Sequence, residues 1–245
     1  MKFAGRRALI TGGGSGVGAA LARGFAAAGA EVTIAGRRRE ALQRIATETG
    51  ARALVCDVTQ EASVEALFRD AGPCDIVIAN AGSADTAPFP RTSLDLWRAM
   101  LDVNLTGAFL TLRGGLAQMP ERGRLIAIAS LAGLKGYAYC AAYAAAKHGV
   151  VGMIRSLALE IATREITANA ICPGFVDSDM TGRSIAAIVE KTGRDRAAAQ
   201  AALVAGNPQR RLIDPDEIVA AALWLASDAA RSVNGQAIAI SGGEA

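Results

Sequence analysis

The sequence predicts a single doubly wound α/β domain built on a seven-stranded parallel sheet, with a helical insertion near its C-terminal third. Strand-like and helix-like segments alternate from the first residues. The strand segments are short apolar runs with little polar alternation, the pattern of strands covered on both faces. No Pro/Ser linker or low-complexity stretch divides the 245 residues, so one domain over 1–245 is expected. Hydrophobic residues make up 51%, aromatics only 4%, and glycines number 27. Such a chain has ample apolar material to offset the entropy of folding, and its small aliphatic residues suit helices lying close on a sheet.

In chain order, Arg7–Thr11 reads as the first strand and Val17–Ala28 as the first helix, followed by strand Glu31–Gly36 and helix Arg39–Thr49. The alternation continues with strand Ala51–Cys56, helix Glu61–Asp70, strand Asp75–Asn80 and a long helix Leu94–Arg113. Strand Arg124–Ser130, the Ala-rich helix Ala142–Ile161 and strand Ile166–Ile171 follow. Near the end, Asp214 as N-cap, Pro215 at the first helical position and Glu217 in capping-box position open helix Pro215–Ala226, before the last strand Ala237–Ile240. One segment breaks the rhythm. Between about 181 and 207 lie two helical pieces, Arg183–Lys191 and Arg194–Ala205, where one connecting helix would suffice. A long extra segment beside a cleft reads as a substrate lid, with an ordinary surface excursion as the bland alternative.

The charge balance excludes several classes. Lys plus Arg (26) against Asp plus Glu (23) gives +3, with the basic residues scattered except for Arg37, Arg38 and Arg39, so no nucleic-acid footprint is expected. Cys56, Cys74, Cys140 and Cys172 form no CxxC pair, and the single His148 completes no zinc site; neither a metal nor a disulfide framework is expected. No stretch approaches the ~20 apolar residues of a spanning helix, and the only apolar run at the N-terminus, Ala8–Ile10, is too short for a signal peptide. No membrane partner is expected, and the cytoplasm is the expected compartment.

Function is expected in the loops after strands, where ligands of doubly wound sheets lie. Directly after the first strand comes Thr11-Gly12-Gly13-Gly14-Ser15-Gly16-Val17-Gly18, with a helix opening at about Val17 and a second strand beyond it. Glycines at that point permit a sharp turn, close approach of a pyrophosphate to backbone N–H groups and tight helix–strand packing. The spacing Gly12, Gly16, Gly18 resembles TGxxxGxG of the short-chain dehydrogenase/reductase family. The rest agrees: Asp57 after the third strand, Asn80-Ala81-Gly82 after the fourth, Asn104, Ser130, Tyr143 and Lys147 as YxxxK, and Pro173-Gly174 after the sixth. The departures are small: Ser178 stands where the family usually has threonine, and Ala79 where it often has asparagine.

The resemblance implies a Rossmann-type fold and an oxidoreductase that interconverts a ketone and a secondary alcohol with NAD(P)(H). The turn residues Gly12, Gly14, Ser15, Gly16, Val17 and Gly18 would hold the cofactor's phosphates. Asp57 and Val58 would meet its adenine, and Asn80, Ala81 and Gly82 would line its path. Beyond them, Pro173, Gly174, Val176 and Ser178 would approach the nicotinamide. At the end of the second strand, Gly36 takes the place of an acidic residue and is followed by Arg37 and Arg38, whose guanidinium groups favour a 2′-phosphate. NADP(H) is therefore expected in preference to NAD(H), the competing view being that Arg37 to Arg39 are a solvated helix start.

A ketone reduced by hydride must also gain a proton, and Tyr143 is the candidate acid. Lys147, four residues on, emerges on the same helical face, and its ammonium is expected to lower the phenol pKa. Ser130 is placed to hydrogen-bond the substrate oxygen. By resemblance, Lys147 also holds the nicotinamide ribose, and Asn104 supports a water on the proton path. Tyr139 reads as a pocket wall and His148 as a surface residue. The lid residues Arg183, Lys191, Arg194 and Arg196 suit a phosphate-bearing thioester of CoA or acyl carrier protein, so a 3-oxoacyl thioester is the expected substrate. The alternatives are a free cyclic, aromatic or sugar alcohol and, in another class, a non-catalytic cofactor-binding subunit. An apolar stripe with Val150, Ile154 and Leu157 on the Ala-rich helix, paired across a two-fold axis in the family, predicts a homodimer or homotetramer.

Overall fold

The computed structural model describes residues 2–245; Met1 lies outside the described residues. Seven strands form one sheet: β1 (Arg7–Thr11), β2 (Glu31–Gly36), β3 (Arg52–Val55), β4 (Ile76–Ala79), β5 (Arg122–Ile128), β6 (Glu165–Pro173) and β7 (Ala237–Ile240). Their order is β3-β2-β1-β4-β5-β6-β7, and every pairing is parallel. Ala8 pairs with Val32 on one side and Ile76 on the other, so the chain winds outward in opposite directions from the boundary between β1 and β4. The crevice beyond the carboxyl ends at that boundary is where a doubly wound sheet receives a ligand.

Strand parity explains the apolar runs. Ala8 and Ile10 of β1, Ile76 and Ile78 of β4, and Ile126 of β5 pack on one face with α1 (Gly16–Ala27), α2 (Arg39–Thr49) and α9 (Pro215–Ala226). Leu9, Val77 and Leu125 pack on the other with α3 (Glu61–Ala71), α5 (Gly107–Gln118) and α6 (Ala141–Glu160). Both faces are covered, so successive residues of the central strands, such as Ala8-Leu9-Ile10 and Ile76-Val77-Ile78, are apolar without alternation. The predicted capping box is present: Asp214 accepts from the Asp216 N–H at 2.9 Å, and Glu217 accepts from the Asp214 N–H at 2.9 Å.

Three differences from the expectation have local causes. The helix expected over Leu94–Arg113 is α4 (Leu94–Leu101), a π turn over Asp102–Thr106, and α5 continuing to Gln118. Inside the π turn the Asn104 side chain donates to the Met100 carbonyl oxygen at 3.0 Å, competing with the helix's own hydrogen bonds. β5 starts at Arg122 because the Arg122–Glu165 register and ion pair extend the ladder. The inserted helices start and end elsewhere than expected, at α7 (Asp179–Thr192) and α8 (Arg196–Leu203), because Ser178 and Asp195 cap them. Among the described residues, no helix is long and apolar enough to cross a membrane.

Candidate active site

The glycine-rich turn joins β1 to α1 at the switch point. Gly12 (φ +71°) and Gly16 (φ +52°) adopt left-handed backbone that other residues resist, and a Cβ at Gly18 would run into the Gly12 carbonyl oxygen. Ser15 caps α1 with its backbone only, so its side chain satisfies none of the first N–H groups of that helix. Instead the Ser15 hydroxyl accepts from the Arg38 guanidinium at 2.8 Å, which lays that arginine over the turn. Arg37 is exposed beside it, and the chain turns at Gly36 with no carboxylate at the strand end.

Thr11, left without a role by the sequence reading, stitches the crevice. Its hydroxyl oxygen accepts from the backbone N–H groups of Asn80 (3.1 Å) and Ala81 (3.2 Å), while the Asn80 side chain donates to the Thr11 carbonyl at 2.8 Å. Asn80 thus holds β4 to β1. Asp57 accepts from the Thr59 N–H (3.0 Å) and hydroxyl (2.8 Å) through one carboxylate oxygen, and Val58 is buried against Gly107. From the far side, Gly174 donates to the Ile240 carbonyl at 2.9 Å, and buried Val176 bridges to Ile213. A Cβ on Gly16 would lie 3.7 Å from Ser178 Cβ, so the loop after Pro173 meets the glycine-rich turn. The residues present fit a dinucleotide: glycines let the turn pass close to β2, α2 and Asn80, the N-terminus of α1 has no side-chain cap, and Arg37 and Arg38 rather than a carboxylate follow the end of β2.

Ser130 follows β5, and Tyr143 and Lys147 share one face of α6. Lys147 is buried, donates to the Ile128 carbonyl at 2.9 Å, and stands 5.7 Å from the Tyr143 ring centroid. Ser130 Oγ accepts from the Ala132 N–H at 3.1 Å, which leaves its own proton for a second partner. Burial holds the Tyr143 phenol above its ordinary pKa, and the Ser130 hydroxyl pulls the other way. In the protein alone the phenol is therefore not lowered as expected, because desolvation outweighs Ser130, its one lowering contact. Burial also brings Lys147 down to about 8.

Asn104 is buried in the π turn, donates to the Ser83 carbonyl at 2.9 Å and accepts from the Ser83 N–H at 3.3 Å. Gly82 lies between Asn104 and the lysine: a Cβ there would be 2.6 Å from Asn104 Oδ1 and 3.7 Å from Lys147 Nζ. Tyr139 is 65% exposed with φ +67°, its carbonyl accepting from the Ala87 N–H at 3.0 Å, while His148 is exposed on α6. Beside the inserted helices α7 and α8, a cavity of about 410 Å³ is lined by Asp177, Asp179, Thr181, Arg196 and Gln200. Of Arg183, Lys191, Arg194 and Arg196, only Arg196 lines it, and it shares that lining with the carboxylates Asp177 and Asp179. Val150 and Ile154, expected on an outer stripe, are buried in the chain's own core. The exposed face of α6 carries Ala145, His148, Gly152, Arg155 and Leu159 instead.

Comparison with known proteins agrees along the whole chain. A family profile described as enoyl-(acyl carrier protein) reductase, of the short-chain dehydrogenase/reductase type, matches residues 12–244. An acetoacetyl-CoA reductase of Shinella zoogloeoides is 37% identical, over 98% of this chain and 98% of its own. The 3-oxoacyl-[acyl-carrier-protein] reductase of Salmonella typhimurium is 34% identical over 99% of this chain and 98% of its own. Among solved structures, a levodione reductase superposes with a TM-score of 0.92 at 34% identity, covering 99% of this chain and 98% of that one. An actinorhodin polyketide ketoreductase with NADPH superposes with a TM-score of 0.89 at 32% identity, covering 98% and 97%.

Proposed function

The chain belongs to the short-chain dehydrogenase/reductase family and is an oxidoreductase acting on CH–OH groups, and from that premise we propose that Ser130, Tyr143 and Lys147 form its reaction centre, reducing a 3-oxoacyl thioester to the 3-hydroxy form with NADP(H). The observation that carries the reading is the placement of Tyr143 and the Ile128-anchored Lys147 on one face of α6, next to Ser130 and beyond the switch-point cradle.

When bound, a reduced nicotinamide supplies the hydride. The rest falls to the chain. Tyr143 O–H gives its proton to the carbonyl oxygen, so that C=O gains one hydrogen on carbon and one on oxygen. Its raised pKa keeps the phenol protonated at neutral pH, the form a reduction requires. Ser130 donates to the same oxygen and stabilises charge that develops there before the proton arrives. Lys147, fixed by Ile128, keeps a positive charge beside the phenolate left behind. Asn104 holds the loop at Ser83 and, through Gly82, abuts Lys147, a position from which a water relay restores the proton to Tyr143.

Arg37 and Arg38, with no carboxylate at Gly36, favour the 2′-phosphate of NADP(H) over the bare ribose of NAD(H). The thioester reading draws on the relatives' activities and on Arg196 at the lid. A free ketone is the second reading. It is favoured by Asp177 and Asp179, which would repel a phosphate entering the lid cavity. The free cysteines Cys56, Cys74, Cys140 and Cys172 suit the reducing cytoplasm. Small residues on the outer face of α6, Ala145 and Gly152, with exposed Phe109 on α5, suit a homodimer or homotetramer.

The test is NADPH oxidation against acetoacetyl-CoA, longer 3-oxoacyl thioesters, cyclic ketones and aryl ketones. Turnover of thioesters with kcat/KM at least about tenfold above the free ketones is the expected result. Turnover of free ketones alone would move the substrate to the second reading.

A further inference from the structure

Beyond β7 the chain turns back across the carboxyl ends of the strands and buries one carboxylate there. The Glu244 side chain is 5% exposed. Its Oε1 accepts from the Tyr137 phenol at 2.7 Å and the Lys135 ammonium at 3.3 Å, and its carbonyl oxygen lies 3.4 Å from the same ammonium. The carboxylate Oε1 also lies against Gly206 at the exit of the inserted helices, where an added Cβ would approach it to 2.8 Å. Tyr137 in turn sets its ring edge-on to Phe175 at 6.1 Å, three residues before the Ser178 cap of α7. One carboxylate therefore joins the tail, the loop from Ser130 to α6, the loop after β6 and the end of the lid.

A carboxylate is an expensive way to seal a core, since its desolvation must be offset by partners held in one geometry. What it provides is direction. Tyr137 O–H and Lys135 point at one oxygen, so the Tyr137 ring is fixed in rotation as well as in place. Burial, reinforced by Glu244, holds the Tyr137 phenol well above its ordinary range, so it remains a donor. An apolar residue at 244 would fill the space and leave both groups to search for water.

We propose that Glu244 is a positioning residue: by holding Tyr137, which packs on Phe175 and whose carbonyl accepts from Cys140 at the start of α6, and by itself abutting Gly206, it sets the wall of the ketone pocket and governs ketone binding rather than proton transfer. This rests on the reading of Ser130, Tyr143 and Lys147 as the reaction centre. Nothing in a C-terminal glutamate announces such a part, because its partners lie more than a hundred residues away in sequence.

The experiment compares full-length wild type, Glu244→Ala, Glu244→Gln, Tyr137→Phe and Tyr143→Phe, with NADPH and acetoacetyl-CoA, or the best free ketone if thioesters do not turn over. Glu244→Ala is expected to raise the ketone KM about tenfold, with kcat and the NADPH KM changed by less than about twofold. Glu244→Gln, which keeps an acceptor for Tyr137, is expected to recover most of that loss, and Tyr137→Phe to reproduce it. Amide exchange in 134–140 and 205–208 is expected to quicken about tenfold in Glu244→Ala, a readout independent of turnover. A ketone KM within twofold of wild type in both Glu244→Ala and Tyr137→Phe, with Tyr143→Phe inactive, would overturn the proposal alone. Retained turnover in Tyr143→Phe would overturn the reaction-centre reading and the proposal with it.

Discussion

A half-buried phenol and a buried ammonium sit on one helical face, and desolvation acts on them in opposite senses. It raises the Tyr143 phenol and lowers the Lys147 ammonium to about 8. For Lys147 the sign is destabilising. With its folded pKa below the ordinary 10.5, the cost of burying the charge is fully present below about 8 and is relieved as pH rises from about 8 to 10.5. The same titration removes the positive charge beside the phenol. Ketone reduction should therefore hold level up to about pH 8 and decline above it. Lys147→Met is expected to lower kcat/KM by about a hundredfold and abolish that decline, while its Tm at pH 7 stays at or above the wild-type value. A wild-type profile that passes through pH 8 without a break would contradict this account of Lys147. At the other end of the crevice, kcat/KM for NADPH is expected to exceed that for NADH by about tenfold or more, and Arg38→Ala to erase most of the difference. An unchanged ratio in Arg38→Ala would mean that the guanidinium over Ser15 serves the turn alone.

At the scale of elements, the cradle depends on backbones that pass too close for side chains. Gly18→Ala would push a methyl group into the Gly12 carbonyl, so α1 must shift off β1. Loss of about 1–3 kcal/mol of stability, with NADPH affinity falling in parallel, is the expected outcome by denaturant titration and fluorescence. Retained affinity would show that the turn yields more easily than its packing implies. The glycine cluster is legible in the sequence because a strand and a helix flank it, and the α9 cap because Asp214, Pro215 and Glu217 are all local signals. The π turn is not. Asn104 breaks the helix by reaching Met100 and Ser83, and Ser83 belongs to a loop whose proximity depends on the folded sheet. Thr11 is the last residue of a strand, as the sequence indicates, but for the same reason its hydroxyl could not be seen there as the link from β1 to the loop after β4.

At the scale of the molecule, one sheet with two covered faces puts every residue named in the reaction at the carboxyl edge, so the winding of the chain and the location of the chemistry share a cause. Subunit association was motivated in the sequence by Val150 and Ile154, which the fold keeps for its own core. Periodicity along α6 does not say which of two apolar-looking faces meets the sheet. The face left outside, with Ala145, Gly152 and Leu159, is the one expected to pair. Light scattering should give twice or four times the chain mass of 25.1 kDa, and Gly152→Arg should lower it toward one; a monomer in the wild type would remove the assembly. The central claim, that this fold exists to bring a proton from Tyr143 to a ketone oxygen, is tested most directly by Tyr143→Phe. With NADPH binding and Tm at wild-type values, ketone turnover is expected to fall by about a thousandfold or more; turnover within tenfold of wild type would place the acid elsewhere.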